Sequence, residues 1–398
     1  MKRGRSTLKK AGLSVNHSQP RTNSIVYTLF VIPFILAFLS WLYFPSFART
    51  FILHAFGYHA NEQVSSVLWL GLINFFYTWY TFLAIAAAGA WIIAALLARR
   101  KKAEVDRNEF YPMVSFVVPA FNEERNIKHC LTSLFKCADE YDGNCEILVV
   151  DDGSTDYTYE EALSTARPLH LTYPQVRCKV SRNMVNLGKI EALRTGVNRA
   201  LGQVIAVVDA DSEWNSDALK HLVEHMLANG EKAVTGDIHP KAGTDKNGFT
   251  VSLQQLEYSQ GLSLDRCGQS LVNAVMVIPG AIGVYDATLF RNVLTEANIR
   301  SVTEDSEITL AMHKRGARIG FYHLAGSTTV APKSWSALWR QRLRWFTGWL
   351  HNILGIHEDL FWTRSWLYGQ QNASPMETLI PSRLFPRATS SDSPWKST

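Results

Sequence analysis

Two long apolar stretches, followed by a series of short apolar runs, organise this chain of 398 residues. Ile25 to Phe44 is uncharged for 20 residues, and Gln63 to Ala98 for 36. About 20 apolar residues suffice to cross a bilayer as a helix. The second stretch exceeds what an ordinary core helix needs, so the pattern predicts two transmembrane helices within 25–102, the second tilted or flanked by an interfacial turn. Trp69, Tyr77, Trp79 and Tyr80 suit its interfacial part. The length of the first stretch, with no small-residue cleavage site after it, disfavours a removed signal peptide. Lys2, Arg3, Arg5, Lys9, Lys10 and Arg21 precede the pair, and Arg99-Arg100-Lys101-Lys102 follows it. The loop between carries only Arg49 and Glu62 as formal charges. Basic clusters stay on the cytoplasmic side, so the reading is a multi-pass protein of the cell membrane with a basic tail (1–24) and everything after 102 in the cytosol.

From Pro112 to Tyr322 the pattern changes to short β-rich runs separated by helical stretches. The runs are Val114–Val118, Glu146–Val150, Val204–Val208 and Lys232–Thr235; Glu123–Ala138 and Lys189–Leu201 read as helices between them. Continuous apolar strands alternating with helices predict an α/β domain over 110–325, its mostly parallel sheet covered by helices on both faces. Ligands of such sheets bind at the carboxyl ends of the strands. A further helical segment, 326–361, carries Trp335, Trp339, Trp345 and Trp349 at helical spacing, mixed with Arg340, Arg342 and Arg344. That segment reads as an amphipathic helix at a membrane interface, with membrane lipid as its partner. The remaining 362–398 is polar, with Pro375, Pro381, Pro386 and Pro394, and reads as disordered.

The net charge of +5 is mild and concentrated at the N-terminus. No interleaving of basic and aromatic residues follows that tail, so nucleic acid is not expected as a partner. The five cysteines (Cys130, Cys137, Cys145, Cys178, Cys267) show no zinc spacing and no even framework, which favours reduced thiols. No G-x-G-x-x-G or Walker sequence follows any predicted strand, so a dinucleotide or P-loop site is not expected.

The polar motifs gather where the strands end. Pro119-Ala120-Phe121-Asn122-Glu123 follows the first strand and Asp151-Asp152-Gly153-Ser154 the second. A carboxylate of that second motif either accepts the imide N–H of a uracil or caps the helix begun by Ser154 and Asp156. Gly188-Lys189 opens a helix, where the ammonium either meets a phosphate or is simply solvated. Asp209 and Asp211, two apart at a strand end, either hold Mg2+ or Mn2+ with diphosphate oxygens completing the shell, or form an Asx turn. Thr303-Glu304-Asp305 opens another helix; Asp305 is the candidate general base, unless the motif is only a capped helix start. Gln341-Arg342-Leu343-Arg344-Trp345 sets an amide, guanidinium and indole within one turn. Cation, guanidinium and aromatic face together suit a sugar diphosphate, and one base without a second nucleophile implies single displacement with inversion.

In this order the motifs resemble those of the processive family-2 glycosyltransferases: the cellulose, chitin, hyaluronan and poly-N-acetylglucosamine synthases. The likeness covers about residues 110–355, and Thr303–Asp305 with Arg340–Trp345 look most like the bacterial poly-N-acetylglucosamine synthases. The resemblance implies a GT-A fold anchored by the N-terminal membrane helices, a UDP-sugar donor and a polysaccharide acceptor. It implies Glu123 and Asp152 near the uridine, Asp151, Lys189 and Asp209 at the nucleotide sugar, and Asp209 and Asp211 at the metal. It places Asp305, with Glu304 beside it, at the chemistry, and Gln341, Arg344 and Trp345 at the diphosphate and acceptor. Pro279–Gly283 is matched to the family's acceptor loop. Members carry further membrane helices after the Gln-x-x-Arg-Trp helix, and none follows Trp345 here. A membrane partner completing a channel, a chain that does not export, and a truncated product are the three expectations that follow. Transfer of one sugar to a lipid acceptor is the alternative to polymer extension, and an inactive nucleotide-sugar-binding protein the alternative to an enzyme.

Overall fold

The computed structural model describes residues 111–241 and 248–357, with helical positions at 89, 91–93, 96 and 97. The predicted span 25–44, nearly all of 63–98, the basic tail and the segment after 357 lie outside the described residues. Among the described residues no helix is long and apolar enough to cross a membrane.

One sheet carries β1 (Val114–Ala120), β2 (Cys145–Asp151), β3 (Arg177–Arg182), β4 (Val204–Val207), β5 (Ser212–Trp214), β6 (Ala233–Lys241), β7 (Gly283–Asp286) and β8 (Ile319–Val330). Its order is β3-β2-β1-β4-β7-β6-β8-β5. β1 pairs parallel with β2 and β4, β2 with β3, and β6 with β8, while β7 and β5 run antiparallel to their neighbours. Most strands therefore run one way, as their apolar runs imply. Every residue of β1 and β2 is buried, as strands covered on both faces require. β3 alternates between exposed and half-buried positions at the sheet edge, which is why no apolar run announces it. β8 extends to Val330, past the 325 at which the sequence pattern closes the domain.

The helices are α1 (Ile127–Glu140), α2 (Thr158–Thr172), α3 (Lys189–Arg199), α4 (Ala218–Asn229), α5 (Phe249–Glu257), α6 (Asp265–Leu271), α7 (Ala287–Glu296), α8 (Glu304–Lys314) and α9 (Trp335–His351). Strand alternation divides them between two cores. Phe116 and Val118 pack with Leu131 and Phe135 of α1 and Leu222 of α4. Val117 packs on the opposite side with Leu193 of α3, Phe290 of α7 and Met312 of α8. Each of the larger side chains, fully buried, contributes about 1.5–3 kcal/mol. None of the five cysteines is in a disulfide.

Behind α4 the buried Glu231 carboxylate lies 3.5 Å from His225 Nε2. That distance is too long for a strong ion pair, so burial decides: it pushes Glu231 up to about 8 and His225 down to about 4. The folded chain then keeps a proton on Glu231 that the unfolded chain releases near 4.5, and stability falls as pH rises from 4.5 to about 8. Buried His225 works in the opposite sense, removing stability as pH falls from 6.5 towards 4. Glu231→Gln removes the first effect without changing size. Its melting temperature is expected to exceed that of the wild type at alkaline pH, by on the order of 2 kcal/mol of stability, and to match it in acid. Thermal unfolding at both extremes checks this, and an equal shift at both would refute it.

Candidate active site

The carboxyl ends of β1, β2 and β4 open on one side, and the loops leaving them carry the candidate residues. Two cavities meet there. The smaller, of about 330 Å³, is walled by Phe121, Glu123, Asp152, Asn186 and Gly188. The larger, of about 810 Å³, is walled by Glu304 and Asp305 of α8, Gln341, Arg344 and Trp345 of α9, and Gly280. Lys189, Asp209 and Asp211 line both and form the junction.

Of the adjacent carboxylates closing β2, only Asp152 faces the small cavity. Its Oδ1 accepts from Asn183 Nδ2 (2.8 Å) and the Leu187 N–H (3.1 Å), and its Oδ2 from the Gly188 N–H (2.7 Å). It therefore folds the loop leading into α3. Asp151, expected with it among the residues that bind the nucleotide sugar, lines neither cavity. Strand alternation turns it the other way, against its register partner Arg182 of β3 (Oδ2 to Nε, 3.1 Å). There it also receives the Ser154 N–H at 3.3 Å. Glu123 is half-buried and accepts from Asn126 Nδ2 at 2.7 Å. Burial pushes its carboxyl up, and the charges of Asp211 and Asp209 add to the shift.

At the junction Lys189 Nζ lies 2.9 Å from Asp209 Oδ1 and 2.7 Å from Glu304 Oε1. The sequence reading puts this ammonium near the nucleotide; in the structure it lies between Asp209 and Glu304, where both cavities meet. Burial opposes its charge, but Asp209, Asp305 and Glu304 more than offset that and hold it well above its ordinary value. Asp211 is pushed up to about 6 by burial and by the Asp209 charge. Gly280 packs so closely on this carboxylate pair that a Cβ there would lie 2.5 Å from Asp209 Oδ1. Its carbonyl accepts the Asp209 N–H (2.8 Å), and its own N–H donates to Asp305 Oδ2 (3.1 Å). The Pro279–Gly283 loop thus ties the two acidic centres together.

Glu304 and Asp305 begin α8 with no side-chain cap from Thr303, so the motif is not simply a capped helix start. Burial and the neighbouring Asp305 charge push Glu304 up to about 7. Burial would raise Asp305 as well, but Lys189, a hydrogen bond from Glu304 and the Gly280 N–H hold it below its ordinary value. Neighbouring carboxyls pushed apart in this way can divide their roles: Asp305 favours the ionised form, while Glu304 is close to half-protonated at neutral pH. α9 approaches this point through Gly348, where a Cβ would collide with Thr303 Oγ1. Arg342, which the sequence motif includes without a role of its own, fixes the helix. It pairs with Glu257 (Nε to Oε1, 2.8 Å), donates to Gln341 Oε1 (2.7 Å) and lies 4.3 Å from the Trp345 ring centroid. Trp335, Trp339, Leu343 and Phe346 stand exposed on the same helix.

Family comparisons agree with this geometry. The Glycosyl transferase family 2 model matches residues 115–292, and the Glycosyl transferase family group 2 model residues 204–385. An N-acetylglucosaminyltransferase of Azorhizobium caulinodans is 29% identical over 255 residues, 61% of this chain and 61% of that protein. A poly-beta-1,6-N-acetyl-D-glucosamine synthase of Staphylococcus aureus is 24% identical over 283 residues, 69% of this chain and 65% of that one. The chain thus spans less than two thirds of the length of these relatives. The structure of a mannosyltransferase from Pyrobaculum calidifontis, solved with GDP-Man and Mn2+, superposes with a TM-score of 0.50 at 21% identity. It covers 69% of this chain and 75% of that one, and the likeness shows a GT-A-like α/β fold. The sheet, the motif order and both family models agree: the chain matches glycosyl transferase family 2 over residues 115–292 and the glycosyl transferase family group 2 model over residues 204–385.

Proposed function

We propose that this chain is an inverting glycosyltransferase that moves a sugar from a UDP-sugar to a hydroxyl of a growing β-linked polysaccharide, with N-acetylglucosamine the favoured sugar. The observation that carries the reading is the pair of cavities joined at Lys189, Asp209 and Asp211. The small one suits a nucleoside beside Asp152 and Glu123. The junction suits the diphosphate, and the large one sets an acceptor against Asp305. The acceptor oxygen bonds to the anomeric carbon, its proton passes to Asp305, and the bond to UDP breaks with the electron pair leaving on the phosphate. Lys189 at the junction and Arg344 on α9 are the cations placed to meet that charge.

A divalent cation fits the residues present. Asp209 and Asp211 are two hard oxygen ligands at the junction, and the raised Asp211 carboxyl marks a site short of positive charge. Among the described residues no group of three or more metal-ligating side chains occurs, but Mg2+ and Mn2+ need few protein ligands when diphosphate oxygens contribute. Bound there, the cation supplies charge neutralisation for the leaving group.

The proposal includes a plasma-membrane location with the catalytic domain in the cytosol. The two apolar stretches before residue 102 and the exposed aromatic side of α9 support it. Membranes containing the full chain, given Mn2+ and a panel of radiolabelled UDP-sugars, test the reading by product size. High-mass product from one donor is the expected result. Label confined to the lipid extract would replace it with single transfer to a lipid, and UDP binding without transfer from any donor would sink the enzymatic reading.

A further inference from the structure

The large cavity contains a buried cation that none of the sequence motifs includes. Arg266, in α6, is only 4% exposed, yet it lines the cavity together with Asp305, Tyr258 and Trp345. Its Nη1 makes no hydrogen bond. Guanidinium groups offer five donors in a fixed fork, and arginines are almost never fully buried unless paired. Burial pulls Arg266 down to about 10, while Asp237, Tyr258 and Asp305 act in the opposite sense. These groups balance its charge without filling the Nη1 donor. Asp237 is itself engaged by the Ile238 N–H (3.0 Å) and the Ser263 hydroxyl (3.1 Å). Tyr258–Leu264, just before α6, is π-helical, a geometry that recurs at functional sites.

Position and charge together identify the ligand class. Arg266 lines the large cavity alone, whereas the junction residues line both. It therefore stands on the acceptor side of the diphosphate position. With two carboxylates already offsetting its charge, the open donor suits a neutral oxygen rather than a second anion. A ring stacked on Trp345, itself held by Arg342, would present such oxygens at its edge.

We propose that Arg266 binds the acceptor, donating to a hydroxyl or acyl carbonyl oxygen of the terminal sugar and so setting that sugar against Asp305. The proposal rests on the transferase reading above, and its test needs binding alone. The probe is a soluble β-linked N-acetylglucosamine tetramer, titrated into the full detergent-solubilised chain. Binding is read from the fluorescence of the tryptophans in the cavity wall, and UDP affinity is measured in parallel. Arg266→Met is expected to weaken tetramer binding about ten- to hundred-fold, as loss of a charged hydrogen bond does, with UDP affinity unchanged. Its melting temperature is expected to hold or rise, because an apolar side chain replaces a buried charge.

Unchanged tetramer affinity would overturn the assignment. So would an equal fall in UDP affinity with a lowered melting temperature, which is the signature of a merely structural arginine. Tetramer binding absent from the wild type that binds UDP would overturn it as well. Should the methionine variant fail to fold, Arg266→Lys keeps the charge but loses the fork, and a selective fall in tetramer affinity is again required. Failure of the transferase reading shows separately, as absent transfer by a wild type whose tetramer arm still reads.

Discussion

Replacing Asp305 by Asn is expected to lower transfer by about 10³-fold, within the range that positioned general bases contribute, while UDP affinity and the melting temperature barely move. The side chain lines the large cavity, and its Oδ2 accepts the Gly280 N–H at 3.1 Å. An amide oxygen can keep that bond, so the loop tying Asp305 to Asp209 survives the change. What disappears is the site that takes the proton. Lys189 favours the ionised form of Asp305, and Glu304, pushed up to about 7, is close to half-protonated at neutral pH. Glu304→Gln mimics that protonated partner and is expected to cost far less than Asp305→Asn. Initial rates with labelled UDP-sugar, beside UDP titrations for both variants, make the comparison. Equal losses from the two substitutions would mean that Asp305 is not the base.

The division of labour between these carboxyls was not legible in the sequence, although both residues were. Apolar runs announced β1, β2 and β4, because strands covered on both faces must be apolar throughout. β3 has only alternating half-buried positions, and the reversed β7 only four residues, so neither carried a signal of its own. Asp151 and Asp152 show the limit most sharply. Both end the same strand, and which one faces the cavity depends on a single step of alternation that the sequence does not display. Lys189 was recognised by its helix start, but its bridge to Glu304 joins residues more than a hundred positions apart. Tyr258 opens a π-helical stretch that follows no readable period, and Arg266 lies just after it at the start of α6. The motif residues at strand ends were legible because their chemistry and their place in the fold are set by the same few positions. Arg266 and Tyr258 in the wall of the large cavity were not, because packing between distant helices brings them beside Asp305 and Trp345.

The junction carries the second large prediction. Asp211→Asn is expected to lower transfer by about 10²-fold or more, as loss of metal-ion charge stabilisation implies, and to raise the Mn2+ concentration needed for half-maximal rate. Asp211 is half-buried beside Asp209, and its partial burial together with the Asp209 charge pushes its carboxyl up to about 6. Hydrogen bonds from the Ser212 hydroxyl (3.1 Å) and the Thr329 hydroxyl (3.4 Å) orient Oδ1 but bring no charge. Lys189 is the one cation within ion-pair distance of Asp209 among the described residues, and it is shared with Glu304. Two half-buried carboxylates beside one ammonium that Glu304 shares are under-neutralised, and a divalent cation is the ligand that would correct this. If that is the site's purpose, chelation should stop transfer in the wild type, and added Mn2+ should restore it along a curve displaced to higher concentration in the variant. UDP affinity should also rise with Mn2+ in the wild type, and much less so in the variant. Full transfer in the presence of a chelator would mean that Lys189 and Arg344 stabilise the leaving group unaided, and that the paired aspartates serve only to hold Lys189 at the junction.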